Sequence, residues 1–371
     1  MPVVVPFFDY PAHFTLDETA FVDIFRRVMG RGAFIQQQEL RDFEADLARF
    51  LSVRHAVGVA SGTDALILGL RAAGIGPGDE VIFPSHTFVA THGAIVAVGA
   101  RPRPVDMGED GLMDPASTEA AITPRTRAVL PVQLNGRVCA MDRIADIAWR
   151  HGLLVVEDAC QALGAGFGGR RAGTFGIFGA FSFYPAKSLG CFGDGGALVT
   201  DDGEVAQRVR LMRDHGRDET SLVVLSGTNA RLDNLQAAVL DHKLKTFDEV
   251  VARRREIARR YDRGLREIEW LLLPPPPDAD PRWFDTFQNY ELRAPKRRDA
   301  LCQHLAERGI GTLVAWGGRA VHQFPALGLD VRLPRTERFF QECLMLPMNQ
   351  YLSDAHVEAV IDGVRGFYGL G

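Results

Sequence analysis

The chain has 371 residues, 46% of them hydrophobic and 24% charged, and its 42 Lys and Arg against 47 Asp and Glu leave a net charge of -5. There is ample apolar material for a large core, and a slightly acidic balance without a basic stripe argues against a nucleic-acid or membrane-surface binder. No window approaches the roughly 18 apolar residues of a membrane span, and the opening "MPVVVPFFDYP" lacks the basic start of a secretory signal.

The first predicted element is a helix over Glu18–Met29. A second lies in "QELRDFEADLARFL", where Leu40, Phe43, Leu47 and Phe50–Leu51 recur at helical spacing. Short apolar runs then alternate with helical patterns. "HAVGVAS" reads as a strand, "TDALILGLRAAG" as a helix closing at Gly74, "DEVIFPS" as a strand and "THGAIVAVGA" as a helix. "AVLPVQLNG" follows as a strand, "MDRIADIAWRHG" as a helix and "LLVVED" as a strand. Two more strands, "GAFSFYP" and "GALVT", flank a glycine-rich turn. "DNLQAAVLDHKLKTFDEVVARRREIARRYDRGLREI" reads as one long helical stretch whose arginines form a solvated face. "LLLPPPPDADPR" (residues 271–282) is a Pro-rich break. Beyond it "FQNYELRA" reads as a strand, "RRDALCQHLAERGI" as a helix ending at Gly309, and "SDAHVEAVIDGVRGF" as a capped final helix.

Strands alternating with helices predict an α/β fold, a mostly parallel sheet covered on both faces. The expected division is a large α/β domain over residues 1–245 and a smaller α+β domain over residues 246–371. The five cysteines, Cys139, Cys160, Cys191, Cys302 and Cys343, are scattered without a CxxC. They read as buried thiols in a reducing, cytoplasmic setting, with no metal site.

Three features sit at predicted strand ends, where ligands of such sheets bind. In "VASGTDALILGL" a helix opens at Ser61–Gly62–Thr63. Its first turn offers unpaired N–H groups to a phosphate, although an ordinary N-cap looks the same. In "LLVVEDACQALGA" the strand closes on Glu157 and Asp158, either caps or charges aimed at a ligand, with Gln161 three residues on. In "FSFYPAKSLGCFGDGG" Lys187 stands alone among aromatic, small and glycine residues, with Ser182 upstream. A lysine held in a dry pocket has a lowered pKa and becomes a nucleophile. A lysine, an acid for a protonated ring nitrogen and a phosphate cradle are together what pyridoxal phosphate needs.

The ordered blocks "FEADLARFLSVRHAVGVASGTDALILGLRAAGIGPGDEVIFPSHTFVAT", "VVEDACQALGA", "GTFGIFGAFSFYPAKSLGCFGDGGALVT", "TNARLDNLQAAVL" and "LMLPMNQYLSD" resemble the DegT/DnrJ/EryC1/StrS sugar aminotransferases of fold type I. The resemblance runs nearly end to end. It implies a seven-stranded mixed sheet in three α/β/α layers and a homodimer with shared active sites. It implies that Lys187 holds pyridoxal phosphate as an imine, that Asp158 pairs with the ring nitrogen and that Gln161 approaches the phenolic oxygen. Phe88 would stack on the ring. Gly62, Thr63 and Ser182 would bind the phosphate, and Asn229 would reach the phosphate held by the partner subunit. The implied reaction moves an amino group from L-glutamate to a nucleotide-linked keto sugar by ping-pong exchange.

Two stretches depart from the family pattern. "GAFIQQQEL" lacks the glycine usual after "FI". "TLVAWGGRAVHQFPALG" has Trp316, Gly317 and Gly318 where Tyr–Pro is usual, with Arg319 and His322 following. An aromatic platform beside cations suits a sugar nucleotide diphosphate. This resembles members that aminate a dTDP-4-keto-6-deoxy-hexose at C4, which is the expected acceptor. His215, in the further family block "MRDHG", and Arg231, in "TNARLDNLQAAVL", are further candidates for the substrate side. The competing readings are a 3-keto sugar nucleotide or a cyclitol as acceptor, and a regulatory protein that binds the cofactor without turnover. A nicotinamide-dependent dehydrogenase fits poorly, since no GxGxxG joins a strand to a helix.

Overall fold

The computed structural model describes residues 4–370. Seven strands form the main sheet: β1 (His55–Val59), β2 (Glu80–Pro84), β3 (Arg101–Val105), β4 (Thr126–Val129), β5 (Leu154–Asp158), β6 (Phe178–Ser182) and β7 (Gly196–Thr200). Their order across the sheet is β1-β7-β6-β5-β4-β2-β3. β7 runs antiparallel to both β1 and β6, while every other neighbouring pair is parallel. β1 and β2 to β6 therefore all point the same way. The residues just past β1, β5 and β6 emerge on one edge, and the start of β7 meets them there, with Gly196 opposite both Val59 and Ser182.

Helices cover the sheet, including Gln38–Leu51, Gly62–Ala72, Met141–Arg150 and Gly203–Met212. β2, β6 and β7 are mostly apolar and buried, as strands covered on both faces must be, with polar residues only at their ends, Glu80, Ser182 and Thr200. β3 was not expected from the sequence. Pro102 and Pro104 each lack a ladder donor, so this strand is confined to the sheet's edge, where one side needs no partner.

The long helical stretch is two helices, Asn234–Leu244 and Phe247–Leu265. The second starts at Thr246–Phe247 with Asp248 and Glu249 in its first turn, where carboxylates favour the positive end of the dipole. It crosses between two hydrophobic clusters. Phe247 and Val251 belong to the core around the large sheet. Ile257, Ala258, Tyr261 and Leu265 belong to a second core built on β8 (Tyr290–Arg293), β9 (Cys343–Leu346) and the helices Arg298–Glu307 and Asp354–Phe367. Val5 is buried in that second core and pairs with Ile310, so the start of the described chain packs on its last third. Among the described residues no helix is long and apolar enough to cross a membrane.

Candidate active site

The strand ends open into a cleft of about 500 Å³, lined by Ser61, Gly62, Thr63, Phe88, Asp158, Cys160, Gln161, Ser182, Tyr184, Lys187, Asp194 and Trp316 among others. Eight residues singled out in the sequence meet here: Gly62, Thr63, Phe88, Asp158, Gln161, Ser182, Lys187 and Trp316.

The floor at one end is the start of the helix Gly62–Ala72. Ser61 caps it, its hydroxyl accepting from the Asp64 N–H (3.0 Å) and donating to the Asp64 carboxylate (2.7 Å). Gly62 is glycine because there is no room for more. A Cβ there would lie 2.7 Å from the Cys160 sulfur and 2.9 Å from the Ser182 Cβ. Gly196 is equally forced, since its Cβ would meet the Ser61 carbonyl carbon at 2.3 Å. These two glycines let β1, β6 and β7 converge behind the helix's open N–H groups. That arrangement suits an anion.

Asp158 ends β5. Its Oδ2 accepts the Thr91 hydroxyl (2.8 Å), which is 2.7 Å from the Thr87 hydroxyl. Its Oδ1 accepts the Cys160 N–H at 3.1 Å. Its neighbour Glu157 points to the other side of the sheet, as the strand period requires. There Glu157 accepts from the Gln133 amide (2.8 Å) and the N–H groups of Gly173, Phe175 and Gly176 (2.9, 2.5 and 3.1 Å). Burial pushes its carboxyl up, against those four donors. Of the two adjacent acids, one ties down a loop and the other faces the cleft.

Lys187 stands in the turn between β6 and β7. Its N–H donates to the Tyr184 carbonyl (2.8 Å). Gln288 grips the turn on both sides, accepting from the Ser188 N–H (2.7 Å) and donating to the Ala186 carbonyl (2.9 Å). Burial pushes the Lys187 amine below its ordinary range, and the nearby Cys160 and Asp158 oppose that shift. A lysine so placed carries less charge and more nucleophilicity than one in water. Cys160 lines the cleft as well, but burial and then Asp158 push its thiol well up, so it stays protonated.

The other wall is aromatic. Phe88 is 53% exposed beside the cleft, and Trp316 lies 6.5 Å from it, ring centre to ring centre. Trp316 is held at φ 47, a left-handed conformation costly for a bulky side chain, and Gly317 and Gly318 continue it at φ 69 and 74.

The remaining expected residues lie outside this cleft. Asn229, exposed, accepts from the Arg231 Nε (3.0 Å), and Arg231 also bonds Asp214 (3.1 Å). His215, exposed at φ 60, is on the same loop system. Arg319 is exposed. His322 is buried, its Nδ1 2.7 Å from the Ser85 hydroxyl and its Nε2 3.4 Å from Glu337. Sequence reasoning missed Thr87 and Thr91, whose spacing of one helical turn in "HTFVAT" was the available signal. It also missed Tyr184 and Asp194, which carried none.

A lysine with a lowered pKa, a carboxylate across the cleft and an open helix start between glycines form the donor set that pyridoxal phosphate requires, so the residues present fit that group. The comparisons with known proteins agree. Residues 16–365 match the model of the DegT/DnrJ/EryC1/StrS aminotransferase family. The chain is 45% identical over 367 residues to dTDP-3-amino-3,4,6-trideoxy-alpha-D-glucose transaminase of Streptomyces venezuelae, covering 97% of this chain and 95% of that one. It is 36% identical over 336 residues to UDP-2-acetamido-2-deoxy-3-oxo-D-glucuronate aminotransferase of Pseudomonas aeruginosa, covering 90% and 92%. The crystal structure of S. venezuelae DesV in complex with a ketimine intermediate superimposes with a TM-score of 0.94 at 44% identity, covering 99% of each chain.

Proposed function

This chain belongs to the DegT/DnrJ/EryC1/StrS aminotransferase family, and from that premise we propose that it moves an amino group from L-glutamate to C3 of a nucleotide-linked 3-keto sugar. It is a pyridoxal-phosphate-dependent transaminase of fold type I that acts in nucleotide-sugar chemistry. The choice of carbon is the finer step. The sequence pattern around Trp316 led to an expectation of C4 in a dTDP-4-keto-6-deoxy-hexose. The two relatives above carry names that place the amine or the keto group at C3, and these support C3 instead.

When bound, pyridoxal phosphate supplies an aldehyde for a primary amine and a ring that withdraws electrons. Lys187 is the residue that holds it covalently. Burial keeps a larger share of its amine neutral, which serves first as nucleophile and later as the base that accepts a proton from the donor's α-carbon at Nζ. Asp158, fixed by Thr91, would pair with the ring nitrogen and keep a proton on it. Gly62, Thr63 and Ser182 would hold the phosphate at the helix start, Gln161 would approach the phenolic oxygen, and Phe88 would cover the ring. Trp316 offers a flat face to the sugar or base, the exposed Arg319 and the half-buried Arg231, paired to Asp214, are the cations available to the diphosphate, and the exposed His215 is a further polar group on that side. Asn229 lies outside its own cleft and exposed, which supports a homodimer in which it reaches the phosphate of the partner subunit. The setting proposed is the cytoplasm.

The observation that carries this reading is that Lys187 and Asp158 line one cleft whose end is the open helix start at Gly62–Thr63. The test is to incubate the cofactor-loaded protein with L-glutamate and matched nucleotide-linked 3-keto and 4-keto sugars and to identify the products by mass spectrometry and NMR. A 3-amino sugar nucleotide is the expected product. A 4-amino product from the same panel overturns the choice of carbon, and no amino sugar from any acceptor overturns the acceptor class.

A further inference from the structure

Gln161 could face the cleft with either end of its amide, and the two ends act oppositely on an anionic oxygen. The structure settles which end is free. The Gln161 Oε1 accepts the backbone N–H of Asn135 (3.1 Å) and the side-chain amide of Asn289 (3.3 Å). With its oxygen engaged by two donors, its NH₂ is the end left for the cleft.

That orientation depends on a second layer. Asn135 sits at φ 56, an unusual conformation that aims its backbone N–H at Gln161. Its side chain is locked at both ends, its Oδ1 accepting from Asn289 (2.7 Å) and its Nδ2 donating to Glu291 Oε2 (2.6 Å). Glu291 is on β8, on the face opposite the second-core residues Tyr290 and Leu292, and is buried with His86 beside a small cavity of about 120 Å³. His86 donates its Nδ1–H to the Gly111 carbonyl (2.7 Å). Its other nitrogen is then an acceptor, 3.6 Å from Glu291 and without a hydrogen bond. Burial pushes Glu291 up to about 7, while the hydrogen bond from Asn135 opposes that shift. Charged or not, its carbonyl oxygen can accept from Asn135.

We propose that Glu291, Asn135 and Asn289 are positioning residues which hold Gln161 as a hydrogen-bond donor toward the cofactor's phenolic oxygen, and that this lock helps set the pH at which the holoenzyme changes colour. The idea rests on the proposed placement of the cofactor. A donor at an anionic phenolic oxygen weakens that oxygen's hold on the neighbouring imine proton, so the proton leaves at lower pH. Losing the donor raises the midpoint.

The test is a spectrophotometric pH titration of the cofactor-loaded protein. Gln161→Ala is expected to raise the midpoint of the visible transition by about one pH unit, the size of one hydrogen bond to a charged group. Glu291→Leu and Asn135→Ala are expected to raise it by a substantial part of that. Glu291→Gln, which keeps the acceptor, is expected to leave it near the parent value. A role in folding alone would lower thermal stability without moving the midpoint. A shift in Gln161→Ala with none in Glu291→Leu or Asn135→Ala overturns the lock while leaving the cofactor's placement intact. A Gln161→Ala midpoint at the parent value overturns the placement and, with it, this inference.

Discussion

Replacing Gly62 by Ala tests the tightest joint of the site. The added Cβ would sit 2.7 Å from the Cys160 sulfur and 2.9 Å from the Ser182 Cβ, and 3.3 Å from the Ser182 Cα. Contacts below 3 Å cannot persist, so something must move. Ser182 is at the end of β6, paired to Gly196, and cannot retreat. The helix start therefore shifts away from the cleft floor, together with the N–H groups that would hold phosphate. Overpacking of this kind costs about 1–3 kcal/mol. Charged to cofactor binding at about 1.4 kcal/mol per decade, it predicts a roughly 5- to 150-fold weaker Kd. Fluorescence or absorbance titration of the cofactor-free protein measures it, with thermal unfolding as a control for the fold. Adding Cys160→Ala removes the nearest obstacle but not Ser182, so the double variant should recover part of the affinity. Parent-like affinity in Gly62→Ala would refute the claim that close approach, rather than chance, requires glycine there.

Three further predictions follow from the two adjacent acids and from Glu291. Asp158→Asn keeps the shape but loses the charge and one of the two acceptors that meet the Thr91 hydroxyl and the Cys160 N–H, and should slow the glutamate half-reaction by about a hundredfold in single-turnover absorbance; a parent-like rate would contradict its role. Glu157→Gln turns one acceptor oxygen into an NH₂ among backbone donors and should cost about 2–4 kcal/mol in urea unfolding, while cofactor stoichiometry in the folded fraction is unchanged. Glu291, pushed from 4.5 to about 7, has a folded-state pKa above its unfolded one, so the stability of keeping it protonated is present below pH 4.5 and is lost as pH rises through about 7. Relative to the parent, Glu291→Gln should therefore gain stability across that window, by up to about 3 kcal/mol at pH 8, and a constant difference between pH 5 and pH 8 would contradict it.

The main features of the site were legible because of where strands end. Hydrophobic runs closed at Ser61, Asp158 and Ser182, and in a sheet of parallel strands those positions share an edge. What was not legible needed the third dimension. Glu157 and Asp158 are adjacent letters, and only the pleat of β5 assigns one to a loop and the other to the cleft. The Asn135 and Glu291 side chains meet across 156 positions, with no local pattern to announce the pair. "RPRPV" did not read as a strand because its prolines deny it the usual signal, though they also explain its edge position. The arginine-rich helical stretch read as continuous because its break, at Lys245–Thr246, contains neither glycine nor proline. Trp316 was read as an aromatic platform beside the sugar, and the structure adds its left-handed backbone, which composition does not reveal.

The most direct check on the whole account is chemical trapping. The protein as purified with its cofactor is treated with borohydride, digested, and the peptides are sequenced by mass spectrometry. A reduced pyridoxyl group on Lys187, and none after Lys187→Ala, is the result expected. Label on a different lysine, or a parent protein that takes up no cofactor, would contradict the assignment of the cleft.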